Sequence, residues 1–489
     1  MDYEKLGLKI GIEIHQQLAT HKLFCNCPSI IKENQKPDLI IKRNLFAVSG
    51  ELGSIDMAAL FEQEKKRDYF YYYWKDCCCL IELDEKPPMP INKEALKIAL
   101  QIAMLLNAEI LPLTQVMRKI VIDGSDISGF QRTLLIARNG YIEYEFNGKK
   151  KKLKINTICL EEEAAKKIKQ EGNAVYYSLD RYGIPLVEIT TEANIKHPEE
   201  AKIVALKIGN LLRACKVRRG IGSIRQDLNV SIRNGVRTEI KGVQEPKLIA
   251  KVIENEIKEQ LEAVKKGLKL EESVKKANED GSLTFLRPLP GSARMYPETD
   301  LPLIEISKEF IEEIKRNLPK TIDEIKEELA ELNNVDFIEG LARDREKYML
   351  YKEIIKKLKI EDTELKKFVA SILVNYVKEI SGEVKANEQE TLKKISKHII
   401  EILKDYVEGK ISKQAIKEIL KEIVLGKKYS ELKKKFKKYS KKELEKEIKE
   451  FIEKNKIEQK YWIQEAIKKF KLNADVKDII EIVKKLQKR

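Results

Sequence analysis

Residues 224–241 read IRQDLNVSIRNGVRTEIK, and how this stretch folds decides what the rest of the chain is built around. Taken with period two, Ile224, Leu228, Val230 and Ile232 fall on one side and Arg225, Asp227, Asn229, Ser231 and Arg233 on the other, the pattern of a half-buried strand. A two-residue turn at Asn234-Gly235 would set Ile232 opposite Arg237 and Val230 opposite Glu239, mixing the faces. A three-residue loop, Arg233-Asn234-Gly235 with Gly235 left-handed, pairs Ile232 with Val236, Val230 with Thr238 and Leu228 with Ile240. Its polar face then sets Ser231 beside Arg237, Asn229 beside Glu239 and Asp227 beside Lys241. One residue of slip moves every side chain to the other face, so the three-residue loop is the expectation. Alternation alone also suits an ordinary half-solvated hairpin. The tight interleaving of Arg, Asp, Asn, Ser, Glu and Lys reads instead as the floor of a site.

The chain is long enough for two to four domains and has the apolar content of a globular protein. No run of eighteen apolar residues and no signal-peptide core is apparent, so the expectation is a soluble, cytoplasmic protein with no membrane partner. Seven cysteines, three consecutive at Cys77–Cys79, suit reduced thiols better than a disulfide framework. Residues 361–489 hold 34 Lys+Arg against 23 Asp+Glu, which is +11 of the net +15. That basic end fits a polyanionic partner such as nucleic acid, or else a solvated Lys/Glu surface of the thermophile kind.

LKIGIEIHQQL places Leu8, Ile10, Ile12 and Ile14 on one strand face and Glu13 and His15 together on the other, a pair able to share a metal or a proton. Cys25 and Cys27, with two of Cys77, Cys78 and Cys79, are zinc candidates, against buried free thiols. A helix over 92–107 with Asn92 as N-cap precedes a meander over 117–163, punctuated by Asp123-Gly124, Asn139-Gly140 and Asn147-Gly148. It ends in Glu161, Glu162 and Glu163, whose repulsion either a divalent cation or a helix N-terminus would relieve. Glu188, in an otherwise apolar strand, needs a partner or a metal. Helices follow at 198–214 and 246–265, and Arg287, Arg294 and Tyr296 in a Pro/Gly-rich stretch suit a phosphate or a base. From Ser307 on the pattern is helical. No P-loop, G-x-G-x-x-G or Ser/His/Asp arrangement is present.

GIEIHQQLATHKLFCNCPS, DGSDISGFQRT, TICLEEEAAK, RYGIPLVEITTE, GIGSIRQDLNVSI, RTEIKGVQ and SARMYPETDLP, in this order, resemble the B/E subunits of the tRNA-dependent amidotransferases, most closely the archaeal E type acting on Glu-tRNA(Gln). The resemblance implies an α+β fold: an antiparallel-sheet-rich cradle carrying a kinase site over 1–303, a helical domain over 304–360, and a basic, helical, YqeY-like tail that grips tRNA over 361–489. It implies ATP, and the acids on neighbouring strands are then expected to supply Mg²⁺ ligands, Glu13, His15, Glu162, Glu188 and Glu239 converging on one site with Asp227 beside them in catalysis. Arg225, Asn229, Ser231, Lys241, Arg294 and Tyr296 are then the nucleotide-side residues. It implies phosphorylation of the glutamyl side chain of Glu-tRNA(Gln) and amidation to Gln-tRNA(Gln). The ammonia would come from an asparaginase-like D subunit in a hetero-oligomer.

Two departures stand out. E subunits carry an insertion resembling one in bacterial aspartyl-tRNA synthetases, and here only LEESVKKANEDGSLT fills that place. The B-type zinc pattern, CxC then CxxC, is incomplete, leaving zinc at Cys25 and Cys27 with Cys78 and Cys79 as the remaining arrangement. A B-type subunit and a non-catalytic tRNA-binding protein are the competing readings. Clustered acids are of no use to a module that only binds a polyanion.

Overall fold

The structure is a computed structural model and describes residues 1–51, 53–289, 294–455 and 457–487. Residues 290–293 of the Pro/Gly-rich stretch lie outside the described residues. The chain divides into two units, Met1–Thr321 and Ile322–Arg489. The first is rich in sheet and the second is helical.

In chain order the strands are β1 (Lys9–Gln17), β2 (Leu39–Arg43), β3 (Asp68–Tyr73), β4 (Glu109–Ile110), β5 (Leu113–Thr114), β6 (Met117–Ile120) and β7 (Phe130–Phe146). They continue with β8 (Lys149–Glu162), β9 (Lys166–Glu171), β10 (Ala174–Ser178), β11 (Pro185–Thr191), β12 (Ile224–Ser231) and β13 (Thr238–Val243). Then come β14 (Ser273–Ala277), β15 (Leu283–Pro288), β16 (Met295–Pro297) and β17 (Ile304–Glu305). The helices of this unit are α1 (Met57–Glu64), α2 (Lys93–Leu105), α3 (Pro198–Ala214), α4 (Ile249–Lys265) and α5 (Lys308–Arg316).

The main sheet runs β15-β14-β13-β12-β1-β11-β8-β7-β6-β16, with β4 on β7, and a separate small sheet runs β2-β3-β10-β9. Within the main sheet, among the described residues, only β13 and β14 pair in parallel; in the small sheet β3 and β10 do. Ile10, Ile12 and Ile14 of β1 share one core with Leu228, Val230 and Ile240 of the hairpin. Leu96, Val204, Ile208, Val252 and Ile257 of α2, α3 and α4 close that core, so helices cover one face of the sheet and leave its other face polar. Asn92 caps α2 as expected, its side chain accepting from Ala95 N at 3.1 Å.

The expected break after residue 303 falls inside the first unit, because β17 pairs with β5 and Ile314 of α5 joins the core. In the second unit Ile354 and Ile360 share a core with Phe368 and Val369, so the expected division at 360/361 falls inside it. A further core, from Leu444 to Val483, lies C-terminal to it. Among the described residues no helix is long and apolar enough to cross a membrane.

The hairpin adopts the register that keeps both apolar rows on one side: Leu228 faces Ile240, Asn229 faces Glu239 and Val230 faces Thr238. Its turn differs from expectation, because the left-handed residue is Asn234 (φ 64°), not Gly235. Asn tolerates that conformation. Gly235 is required for a different reason: a Cβ there would lie 2.1 Å from Gln260 Oε1 and 2.8 Å from Ile232 Cγ1. Buried Gln260 of α4 clamps the loop, donating to Val236 O at 3.0 Å and Thr238 Oγ1 at 3.2 Å. Asn139-Gly140 also departs from expectation. It lies inside β7 and ends nothing, since Tyr141 N donates to Leu106 O and a Cβ at Gly140 would sit 2.7 Å from that carbonyl.

Gly235→Val is therefore expected to destabilise the protein by about 1–3 kcal/mol through overpacking. Urea unfolding checks this, and in a Gln260→Ala background the same substitution should cost measurably less. An equal cost in both backgrounds would show that the amide contact is not the cause.

Candidate active site

Pairing carries the polar row of β1 into its neighbours. Glu13 stands opposite Asp227 and His15 opposite Arg225 on β12, while on the other side His15 stands opposite Glu188 of β11. β11 passes the row on to β8, where Glu188 faces Cys159 and Leu186 faces Glu161. Opposite residues in a ladder share a face. The solvent side of five neighbouring strands thus collects Glu13, His15, Glu161, Glu188, Asp227 and Glu239.

These side chains form two adjoining groups. Ligand atoms of Glu13, Asp227 and Glu239 lie within 4.8 Å of one another, as do those of His15, Glu161 and Glu188. Each group has one lysine. Lys241 Nζ is 3.3 Å from Asp227 and 2.5 Å from Glu239. Lys119 Nζ is 2.7 Å from Glu161 and 3.8 Å from Glu188. Asn229 donates to Glu13 Oε1 at 2.9 Å and in turn accepts from Arg237 at 2.9 Å.

Charge is crowded here. Burial, then the Glu188 and Glu239 carboxylates, push the Glu13 carboxyl above its usual range. Burial raises Glu188 too, but Lys119 and the bond to His15 outweigh it and hold Glu188 below the carboxylate range. For Asp227, burial is likewise outweighed by Lys241 and His15. His15 Nε2 lies 3.2 Å from Glu188 Oε2, and its buried Nδ1 has no hydrogen-bond partner. The repelling carboxylates, with an imidazole between two of them, fit a hard divalent cation, which takes oxygen ligands readily and one nitrogen at need.

Glu162 is a correction. It was expected among the metal ligands, yet it points to the opposite face of β8, where Arg132 Nη1 is 3.4 Å away and also holds Glu298 through Nε at 2.9 Å. Glu161 stands where Glu162 was expected, beside His15 and Glu188. Glu163 turns back toward the polar face and meets Arg225 at 3.0 Å and Gln17 at 3.0 Å. Burial opposes its ionisation, but Arg225 and Arg181 bring it down to about 2. The pleat thus sends Glu162 to one face and Glu161 and Glu163 to the other, and each of the three meets a different cation.

Of the other expected residues, Ser231 lies opposite Lys9 at the end of the polar row. The Arg294 charge acts on Lys119, and its carbonyl accepts from Ile120 N. Tyr296 stands apart from the acids, opposite Arg118 on β6 and edge-on to Phe130 at 6.4 Å. Sequence reasoning missed Glu161, Lys119 and Gln131, whose Nε2 lies 3.2 Å from Glu161 Oε2. A signal for Glu161 was present: Ile158 and Leu160 are core residues of β8, so Glu162 shares their side and Glu161 does not.

A second cluster gathers Cys25, Cys27, Cys79 and Glu82 with ligand atoms within 4.8 Å of one another. Cys78, expected there, is not part of it; its Sγ donates to Leu179 O at 3.5 Å. Glu82 replaces it, 3.0 Å from Cys25 Sγ and 3.1 Å from the buried ammonium of Lys22. Hydrogen bonds from Cys25 and Cys27 favour the Cys79 thiolate, pulling that thiol well below its usual range. Three sulfurs and a carboxylate suit zinc.

Residues 8–312 match the family model described as the GatB/GatE catalytic domain. A Methanocaldococcus jannaschii protein, named as the E subunit of glutamyl-tRNA(Gln) amidotransferase, is 37% identical, covering 86% of this chain and 87% of its own. Proteins of the same name from Sulfurisphaera tokodaii (36%, 99% of each chain) and Thermococcus gammatolerans (35%, 87% of each chain) are also similar. The first alignment spans 572 positions, more than the 489 residues here, so that relative carries segments this chain lacks. Where the insertion was expected, this chain has β14 and a tight turn into β15.

Glu161→Gln should lower stability by about 1–3 kcal/mol, because it leaves the buried ammonium of Lys119 with Glu188 at 3.8 Å in place of a partner at 2.7 Å. Glu162→Gln should cost less, because Arg132 keeps Glu298 at 2.9 Å. Chemical denaturation of the two variants checks the order; equal losses would contradict the placement of these acids on opposite faces.

Proposed function

The chain belongs to the GatB/GatE family of tRNA-dependent amidotransferase subunits, and from that premise we propose that it is the subunit that phosphorylates the side chain of glutamate carried on tRNA(Gln) and amidates it. In this reading the side-chain carboxylate attacks the γ-phosphorus of ATP and ADP leaves. Ammonia from an asparaginase-like partner subunit then displaces phosphate from the acyl phosphate to give the amide. The observation that supports it best is the double acid cluster with a lysine in each half and an unpartnered buried His15 nitrogen.

Glu13, Asp227 and Glu239, with His15, Glu161 and Glu188, are the residues that would hold Mg²⁺. Bound there, Mg²⁺ supplies charge neutralisation on the phosphate oxygens. In the neutral tautomer whose Nε2–H donates to Glu188, the ring would be fixed and Nδ1 left free to ligate. Lys241, held between Asp227 and Glu239, and Lys119, held between Glu161 and Glu188, keep fixed positive charge where phosphoryl charge develops. Such preorganised cations need no reorientation during reaction. Residues 361–489, with their +11 charge, would meet tRNA phosphates.

The test is formation of Gln-tRNA(Gln) from Glu-tRNA(Gln) with ATP, Mg²⁺ and an ammonium salt. His15→Ala and Glu188→Gln are expected to lower the rate about 10²–10³-fold with tRNA affinity nearly unchanged. Amidation that proceeds without ATP, or at the full rate in both variants, would overturn this reading.

The thiol cluster supports a structural zinc on Cys25, Cys27, Cys79 and Glu82. Metal analysis of the purified chain should find one zinc per molecule, and Cys25→Ser with Cys27→Ser should release it and lower the unfolding temperature. Zinc-free wild-type protein of unchanged stability would contradict this assignment.

A further inference from the structure

The small sheet turns one face toward the main sheet's loops. Pairing places Tyr71, Tyr177 and Lys167 in one row across β3, β10 and β9. The Tyr71 and Tyr177 hydroxyls donate to the carbonyls of Gly124 and Asp123 at 2.8 and 2.9 Å, so this row looks toward the loop that follows β6. Lys167 ends the row. A bulge between Tyr176 and Tyr177 sets it apart from Lys169, which stands opposite Tyr176 and over that ring on the outer face.

The end of the main sheet supplies cations of its own. β14 runs beside β13 with Glu239 opposite Val274 and Lys241 opposite Lys276. Lys275 reaches Glu256 and Glu259 of α4 at 2.8 and 2.7 Å, which leaves Val274 and Lys276 on the polar face. Lys276 is therefore one strand, about 4.8 Å, beyond Lys241 and carries the row of Asp227 and Lys241 outward. Val274 is fully buried on that face, where α1 lies against neighbouring β15.

Arg67, between α1 and β3, completes the group. Burial, then the Arg67 and Lys276 charges, hold the Lys167 ammonium below its usual range against the pull of Asp123 and Glu62. Arg67 lies 3.5 Å from Glu62, which Lys65 also holds at 2.6 Å. Among the described residues no carboxylate pairs with Lys276 or with Lys167, whose Nζ donates to Gln170 Oε1 at 2.8 Å. Cations from three separate elements thus converge although they repel, and a polyanion would relieve that repulsion. Arg67 also lines a cavity of about 460 Å³ together with Asn44, Leu45, Phe46, Gln63 and Ile122. Apolar walls with a few amides, at that size, suit a nucleoside.

We propose that Arg67, Lys167 and Lys276 hold the non-reacting phosphates of a nucleoside triphosphate, and that the cavity beside Arg67 takes its nucleoside. That the terminal phosphate then reaches the acid groups past Lys241 rests on the function proposed above; the binding site itself rests on register, charge and the cavity.

Calorimetric titration of the full chain with MgATP tests it. Lys167→Ala and Lys276→Ala are each expected to weaken binding about tenfold, and Lys276→Arg to recover most of the loss. Both lysines are exposed, so the variants keep the fold, which circular dichroism checks. Lys169→Ala removes the same charge from the outer face of the same strand and should leave the affinity unchanged. Inorganic tripolyphosphate should compete with MgATP, and single-stranded polyuridylate should not. No binding by the wild-type chain, undiminished binding by the two alanine variants, equal loss in Lys169→Ala, or displacement by polyuridylate would each overturn the proposal. The titration uses neither tRNA nor ammonium. ATP bound through these lysines by a chain that fails to amidate would count against the proposed function alone. ATP-dependent amidation whose KM for ATP is the same in the lysine variants would count against this site alone.

Discussion

Strand β1 has one pleat and two duties, and the first unit depends on both being met in one register. Ile10, Ile12 and Ile14 are fully buried, while Glu13, His15 and Gln17 take the other side. Burial of each isoleucine is worth about 1.5–3 kcal/mol. A slip of one residue would forfeit that and drive a carboxylate and an imidazole into hydrocarbon. The apolar rows therefore fix where the charged rows stand; β11 and β12 take their alignment from β1 by direct pairing, and β13 takes it through β12.

The polar face so created is costly. Buried ion pairs rarely stabilise a fold relative to apolar residues of similar size, and here carboxylates outnumber the cations that pair with them. Glu13 is the clearest symptom, pushed toward its neutral form by burial and by neighbouring acids. A fixed array of this kind is poised to accept positive charge, which is what metal-assisted phosphoryl transfer requires. The Glu82, Cys25, Cys27 and Cys79 cluster follows a related logic at another place, with Lys22 balancing part of its negative charge.

Much of this was legible in the sequence, wherever period two was unbroken. The hairpin register followed from Leu228, Val230, Thr238 and Ile240, and the pairing of Glu13 with His15 on one face followed from the isoleucines between them. The structure departs from expectation where parity along the strand decides the face. Glu161, not Glu162, joins the polar face, because Leu160 marks the side of Glu162 as core. Gly235 was assigned the left-handed conformation that Asn234 adopts. The need for glycine at 235 comes from Gln260, twenty-five residues away on a helix, and no local pattern contains it. Cys79 and Glu82 keep the two-residue spacing of a zinc knuckle with a carboxylate in place of one thiol. A search for cysteine pairs alone passes over that substitution.

The most direct test of the central claim follows the oxygen atoms. Glu-tRNA(Gln) labelled with ¹⁸O in the side-chain carboxylate is amidated with ATP, Mg²⁺ and ammonium, and the released inorganic phosphate is examined by mass spectrometry. If the polar face of β1, β8, β11, β12 and β13 performs phosphoryl transfer, one ¹⁸O appears in each phosphate. That transfer is lost in Glu161→Gln and Glu188→Gln and retained in folded Glu162→Gln. Phosphate without label, or equal loss in all three variants, would contradict the account.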